Sequence, residues 1–203
     1  MKKQFTVSLM LAILFVIAAT ANLGVRANAV DMPEPPAIGA VVPDFSLPDA
    51  DGKTQSLASL KGKNGTVLIF VAVQCPVSNA YNERMEKLAQ DYKARGINVI
   101  GINSNVAETA EAVKAHAAKH HLTFPVLKDP GNKFADQLGA SVTPEAYLLD
   151  AGNKLLYRGR IDNSRNGDQI TATELRDAIE QTLAGKPVAK TSANAFGCSI
   201  KRG

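Results

Sequence analysis

The chain has 203 residues, with 23 Lys and Arg against 19 Asp and Glu, three His, two Cys and no Trp. Its formal charge of +4 belongs mostly to residues 1–29, where Lys2, Lys3 and Arg26 face no acid; the rest holds 20 basic and 19 acidic side chains, a balance of +1. That excludes the electrostatic footprint of a nucleic-acid partner, and two cysteines are too few for a disulfide scaffold.

Residues 1–29 read as an export signal: Lys2 and Lys3, an apolar core from Leu9 to Ala19, then the small-residue sites Ala19-Thr20-Ala21 and Ala27-Asn28-Ala29. An uncleaved membrane anchor is the alternative, because Phe5 to Val25 carries no charge. Thr6, Ser8, Thr20, Asn22 and Gly24 dilute that stretch and favour cleavage. The expected destination is the bacterial periplasm, and a membrane is a partner only if the signal is retained. A spacer follows at 30–37, then one domain over 38–185 and a tail over 186–203.

Phe45-Ser46-Leu47 and Thr54-Gln55-Ser56 flank Asp51-Gly52, which predicts an N-terminal hairpin, followed by one helical turn. Thr66 to Val73 is continuously apolar and β-branched, as in a strand covered on both faces. Pro76 suits a first helical position, and Val77, Tyr81, Met85, Leu88 and Tyr92 mark one helical face up to Gly96. The pattern then predicts a strand at Ile97–Ile102, a helix at Glu108–His120, a strand at Phe124–Leu127 and a helix at Asn132–Leu138. A second hairpin is predicted at Glu145–Asp150 and Lys154–Arg158, and a last helix is capped by Thr173 and stopped by Gly185. The tail has no convincing periodicity. Strands separated by helices imply an α/β fold with helices on both faces of the sheet.

Cys75 sits where the apolar strand gives way to a helix. There the free N–H groups of the first turn and the positive dipole end favour thiolate, the nucleophilic form. Ser78 is placed to donate its hydroxyl to the sulfur. A buried cysteine acting as a small hydrophobe is the competing reading. An exported chain, the strand-Cys-Pro-helix junction and Thr143-Pro144 ahead of a later strand favour chemistry.

These residues carry a resemblance. From about Ile38 to Gly185 the chain resembles the thioredoxin-fold redoxins of the alkyl hydroperoxide reductase/thiol-specific antioxidant superfamily, especially their exported thiol-disulfide oxidoreductase branch. IGAVVPDFSLPDADGKTQSLASLKGK, VLIFVAVQCPVS and VTPEAYLLDAGNKLLYRGRID are the matching segments. The resemblance implies a thioredoxin-like, peroxiredoxin-type fold with a central mixed sheet flanked by helices. It also implies a cis Thr143-Pro144 bond against the turn that carries Cys75. No cofactor and no metal are implied.

Two departures matter. The oxidoreductase branch carries Cys-x-x-Cys, whereas Ser78 here occupies the second position, so a mixed disulfide on Cys75 needs a distant or external thiol to resolve it. Peroxiredoxins carry a proline, a Thr or Ser and an arginine where this chain has Leu68, Ala72 and Pro144. Cys198 is the candidate resolving thiol, since the 13 residues after Gly185 reach up to about 40 Å. A free tail thiol and a static disulfide to Cys75 are the alternatives.

Three further groups carry weaker signals. His116 and His120 have helical metal spacing, but Lys114 and Lys119 nearby favour a solvated face. Arg158, Arg160 and Asp162 suggest ion pairs along an edge strand, or a polar rim near the site. Asn103 and Asn105 suit either a turn or the orientation of a bound partner.

The expected function is thiol-disulfide exchange at Cys75, Ser78, Thr143 and Pro144, with Cys198 as resolving thiol. The partners are a thiol or disulfide substrate, protein or small molecule, and an external thiol reductant. Hydroperoxide oxidation of the same thiol is one alternative, and a non-catalytic thioredoxin-fold binding module is another.

Overall fold

A computed structural model describes residues 34–203. The export signal and the start of the spacer lie outside the described residues. Among those described, no helix is long and apolar enough to cross a membrane.

Asp49 organises the first hairpin, β1 (Ser46–Pro48) and β2 (Thr54–Ser56), by accepting the Asp51 and Lys53 N–H groups at 3.0 and 2.9 Å. Ser56 then caps the single turn α1 (Leu57–Leu60). β3 (Gly65–Phe70) follows, every residue of it buried. Its side chains alternate between two cores. Val67 and Ile69 pack with Met85, Leu88, Tyr92, Leu175 and Ile179 on one face, while Leu68 and Phe70 pack with Leu57, Leu127, Phe134 and Leu138 on the other. The continuous apolar run in the sequence is therefore explained by a strand with no solvent face.

The helix expected from Val77 to Tyr92 is two helices, α2 (Pro76–Ala80) and α3 (Asn82–Lys93). Tyr81 joins them; its N–H bonds the Ser78 carbonyl at 3.0 Å, a tighter turn than the α-helical one. Its ring is fully buried and its hydroxyl donates to Asp162 Oδ1 at 3.0 Å. The apolar face is as expected, but the bend re-aims α2 toward the loop after β3.

β4 (Ile97–Asn103) leads to α4 (Ala110–Lys119), which starts two residues later than expected because Thr109 is its cap and Glu108 turns away. β5 (Val126–Lys128), α5 (Lys133–Leu138), β7 (Glu145–Asp150), β8 (Leu155–Gly159) and α6 (Glu174–Leu183) complete the expected order, and β6 (Val142–Thr143), a two-residue strand between α5 and β7, is an addition to it. Thr173 begins α6, but its hydroxyl donates to Asp177 at 3.0 Å instead of accepting a backbone N–H.

The tail is ordered, unlike its sequence pattern. β9 (Ser192–Ala193) extends the main sheet, and β10 (Cys198–Ser199) pairs with β6. Two-residue strands are too short to show alternation, and the tail is held by ladder bonds and by Phe196 and the buried Ile200. The main sheet runs β5-β4-β3-β7-β8-β9, with β3, β4 and β5 parallel, β7 antiparallel to β3, and β8 antiparallel to β7. This is the mixed, helix-flanked thioredoxin-like sheet. It brings the end of β3 beside β6 and the bond preceding Pro144.

Candidate active site

Cys75 is the N-cap of α2, in extended conformation, with Pro76 at the first helical position. It is 3% exposed. Its sulfur accepts the Ser78 backbone N–H at 3.3 Å, and as a thiol it donates to the Thr143 carbonyl at the same distance. The Ser78 hydroxyl, expected on the sulfur, is elsewhere: it accepts the Ala72 N–H at 3.1 Å and ties the incoming loop to α2. Ser78 therefore supports the thiolate through its backbone, and its side chain braces the turn.

Thr143-Pro144 is a cis bond, and both residues are buried against the Cys75 turn. Cys198 faces Thr143 in the antiparallel β10–β6 pair, and the Thr143 hydroxyl reaches the Cys198 carbonyl at 3.5 Å. The structure thus brings together all five expected residues. Both cysteines are free thiols. Burial pushes the Cys75 thiol up, but hydrogen bonds from the Cys198 thiol, the Ser78 N–H, the Thr143 hydroxyl and the Cys198 N–H outweigh it and hold the group below its ordinary value. Cys198 moves the opposite way, because its proton is held by the Cys75 sulfur and burial adds to that. Cys75 is therefore the more acidic thiol of the pair.

Glu108, which sequence reasoning counted as the start of a helix, lies beneath this loop. Its carboxylate accepts the Val73 and Gln74 N–H groups at 2.9 and 2.8 Å and Asn103 Nδ2 at 2.5 Å. The Lys128 ammonium bonds the Glu108 carbonyl at 2.6 Å, Asn103 Oδ1 at 2.5 Å and the Asn105 carbonyl at 3.0 Å. Asn103 and Asn105 are thus structural ties; Asn105 Oδ1 accepts the Lys201 N–H of the tail at 2.7 Å. The one signal available in sequence was an acid one residue ahead of a capping threonine.

The weaker groups are displaced from their expected roles. His116 is not on a solvated face: Asn79 Oδ1 lies 2.9 Å from its ring nitrogen, and burial lowers its pKa. Among the described residues no cluster of three metal-ligating side chains occurs. Arg160 pairs with the buried Glu174, and Arg84 grips the buried Asp162 at 2.6 Å, so these ion pairs clasp α3 and α6 to the segment after β8 and do not line an edge.

The approach of the tail depends on Gly197. A Cβ there would stand 1.9 Å from the Thr143 carbonyl oxygen, a clash that only backbone movement relieves. Gly197→Ala is expected to lift β10 from β6. Amide exchange at Ile200, whose N–H bonds the Ser141 carbonyl at 2.9 Å, should accelerate by at least about tenfold. Unchanged protection would show that the tail seats without this contact.

Three comparisons bear on the site. The chain is 28% identical over 155 residues to the thiol-disulfide oxidoreductase ResA of Geobacillus thermodenitrificans, covering 76% of this chain and 87% of that protein. It is 35% identical over 130 residues to the chloroplastic peroxiredoxin Q of Triticum aestivum, covering 59% and 57%. The crystal structure of a hypothetical protein, SMc02350 from Sinorhizobium meliloti 1021, matches with a TM-score of 0.77 at 35% identity, over 83% of this chain and 96% of that one. Residues 38–158, from the N-terminal hairpin through the Cys75 turn and the cis proline to β8, match the model of the AhpC/TSA family, and the chain belongs to that family.

Proposed function

We propose that the protein catalyses thiol-disulfide exchange through a disulfide that forms and breaks between Cys75 and Cys198. The protein is a thiol-based oxidoreductase of the AhpC/TSA family. The finer reading rests on one observation: the β10–β6 pair sets Cys198 opposite Thr143, whose carbonyl bonds the Cys75 sulfur, so that both thiols line one groove. With Ser78 at the second position of the turn, Cys198 supplies the second thiol that a two-electron cycle needs. Substrates are thiols or disulfides, and a dithiol reductant closes the cycle. Residues 1–29 support export to the periplasm, where such exchange takes place outside the reducing cytosol. Leu68 and Ala72, both buried and apolar, offer nothing to a hydroperoxide and favour disulfide exchange over peroxidase turnover.

The test is mass spectrometry of the protein after mild oxidation, digested with trypsin without reduction. The expected product joins residues 64–84 to residues 191–201. Recovery of the two peptides unlinked after complete oxidation of both thiols would sink the pairing.

A further inference from the structure

We propose that Cys198 Sγ is the sulfur attacked by the external reductant, and that Cys75 Sγ is the leaving group. This assignment rests on the Cys75–Cys198 disulfide proposed above.

Access comes first. Cys75 is 3% exposed, whereas Cys198 is partly open to solvent. Both line a groove of about 210 Å³ whose other walls include Gln74, Asn105, Ala107, Ser199 and Lys201. The tail strand β10 packs beside the Cys75 turn, and it is anchored just beyond Cys198 by residues 200–202. The Lys201 N–H bonds Asn105 Oδ1 at 2.7 Å, and the Val106 N–H bonds the Lys201 carbonyl at 3.2 Å. The Ile200 N–H bonds the Ser141 carbonyl at 2.9 Å. Arg202 bonds Asp136 at 2.9 Å and the Ala140 carbonyl at 2.8 Å. Within the shared groove, Cys75 is the nearly closed sulfur position and Cys198 the open one, so Cys198 is the easier to reach.

Chemistry points the same way. The hydrogen bonds that hold Cys75 below its ordinary value make it the better departing thiolate, and exchange is faster when the leaving thiol is the more acidic. The Ser78 N–H stays in place to receive the negative charge. The Lys201 ammonium sits near Cys198, close enough to lower its pKa, and it attracts an incoming thiolate to that sulfur.

The step balances. A thiolate of the reductant forms a bond to Cys198 Sγ as the Cys75–Cys198 bond breaks, and Cys75 leaves with the electron pair. The second thiolate of the dithiol reductant then attacks the reductant sulfur of the mixed disulfide. Cys198 departs as thiolate and takes a proton from solvent. The dithiol is oxidised by two electrons, and the pair becomes one thiolate and one thiol.

A monothiol lacks the second step and traps the first. The oxidised full chain is mixed with glutathione, quenched in acid, alkylated and mapped by tryptic mass spectrometry. Glutathione is expected on the peptide 191–201 at least tenfold more often than on 64–84. Lys201→Glu should slow adduct formation at low salt, with the effect fading as salt rises. Glutathione mainly on Cys75, or shared equally, overturns the assignment. An oxidised protein without the Cys75–Cys198 bond, seen before glutathione is added, is a separate result that removes the pairing and this assignment with it.

Discussion

Cys75→Ser is expected to lower the kcat/KM for dithiol-dependent reduction of a disulfide substrate by at least about a thousandfold while leaving the fold intact. The serine hydroxyl is nearly isosteric. It can still accept the Ser78 N–H and donate to the Thr143 carbonyl, which lie 3.3 Å from the native sulfur. Thermal unfolding should therefore change little, and what is lost is the thiolate. In the native site the hydrogen bonds from Cys198, Ser78 and Thr143 prevail over burial and lower the Cys75 pKa, which favours the nucleophilic thiolate. A serine hydroxyl in the same setting stays protonated, and it forms no disulfide with Cys198. Cys198→Ala separates the two roles of the pair. It keeps the nucleophile but removes one donor, so the Cys75 pKa rises and alkylation at pH 7 slows. The double variant should be no worse than Cys75→Ser, because the two thiols act as one unit. Retention of more than a tenth of the activity in Cys75→Ser would move the reaction to another residue.

How much of this was legible in the sequence depended on whether the cause was local. β3 announced itself because a strand with no solvent face must be apolar throughout, and Thr66 to Phe70 obeys that rule. The Cys75 turn was equally readable: Cys75 caps, Pro76 starts, and the helix face follows at regular spacing. Three features were hidden for definite physical reasons. The Ser78 hydroxyl points to Ala72, not to the sulfur, because a side-chain torsion is chosen by contacts that sequence spacing does not contain. At the junction of α2 and α3 the buried Tyr81 hydroxyl finds Asp162, 81 positions away, and no periodicity reports that contact. The tail is held at isolated points, Phe196, Ile200 and the β10–β6 pair, so it has structure without a repeating pattern. Cys198 was legible as a candidate by reach alone. Its placement opposite Thr143 depended on Gly197 passing against a carbonyl, which only the folded backbone reveals.

Glu108→Ala is expected to be the most destabilising single change near the site, costing about 3–5 kcal/mol, or roughly 10 °C in melting temperature for a domain of this size. Glu108 is 3% exposed, and its two carboxylate oxygens hold the Val73 and Gln74 N–H groups of the loop that delivers Cys75. Truncation leaves those donors without partners. It also removes one of the two acids that favour the Lys128 charge; burial lowers the Lys128 pKa, and Glu108 and Asp129 oppose that shift. The pH dependence follows from the carboxylate. Burial raises the Glu108 pKa, but bonds from Val73, Asn103, Gln74 and Asn105 outweigh it, leaving the group below the ordinary value of 4.5. Its contribution is thus complete above that value and is lost as the pH falls through the depressed one. Glu108→Gln and the native chain should differ in stability at pH 7 and converge in acid. Denaturant titrations carried in parallel from pH 7 downward read this directly. A constant gap between the two chains would assign the effect to packing instead of charge. Because the loop ends at Cys75, the same variants should also change the rate of thiol alkylation, and a loss of stability with unaltered alkylation would confine Glu108 to the scaffold.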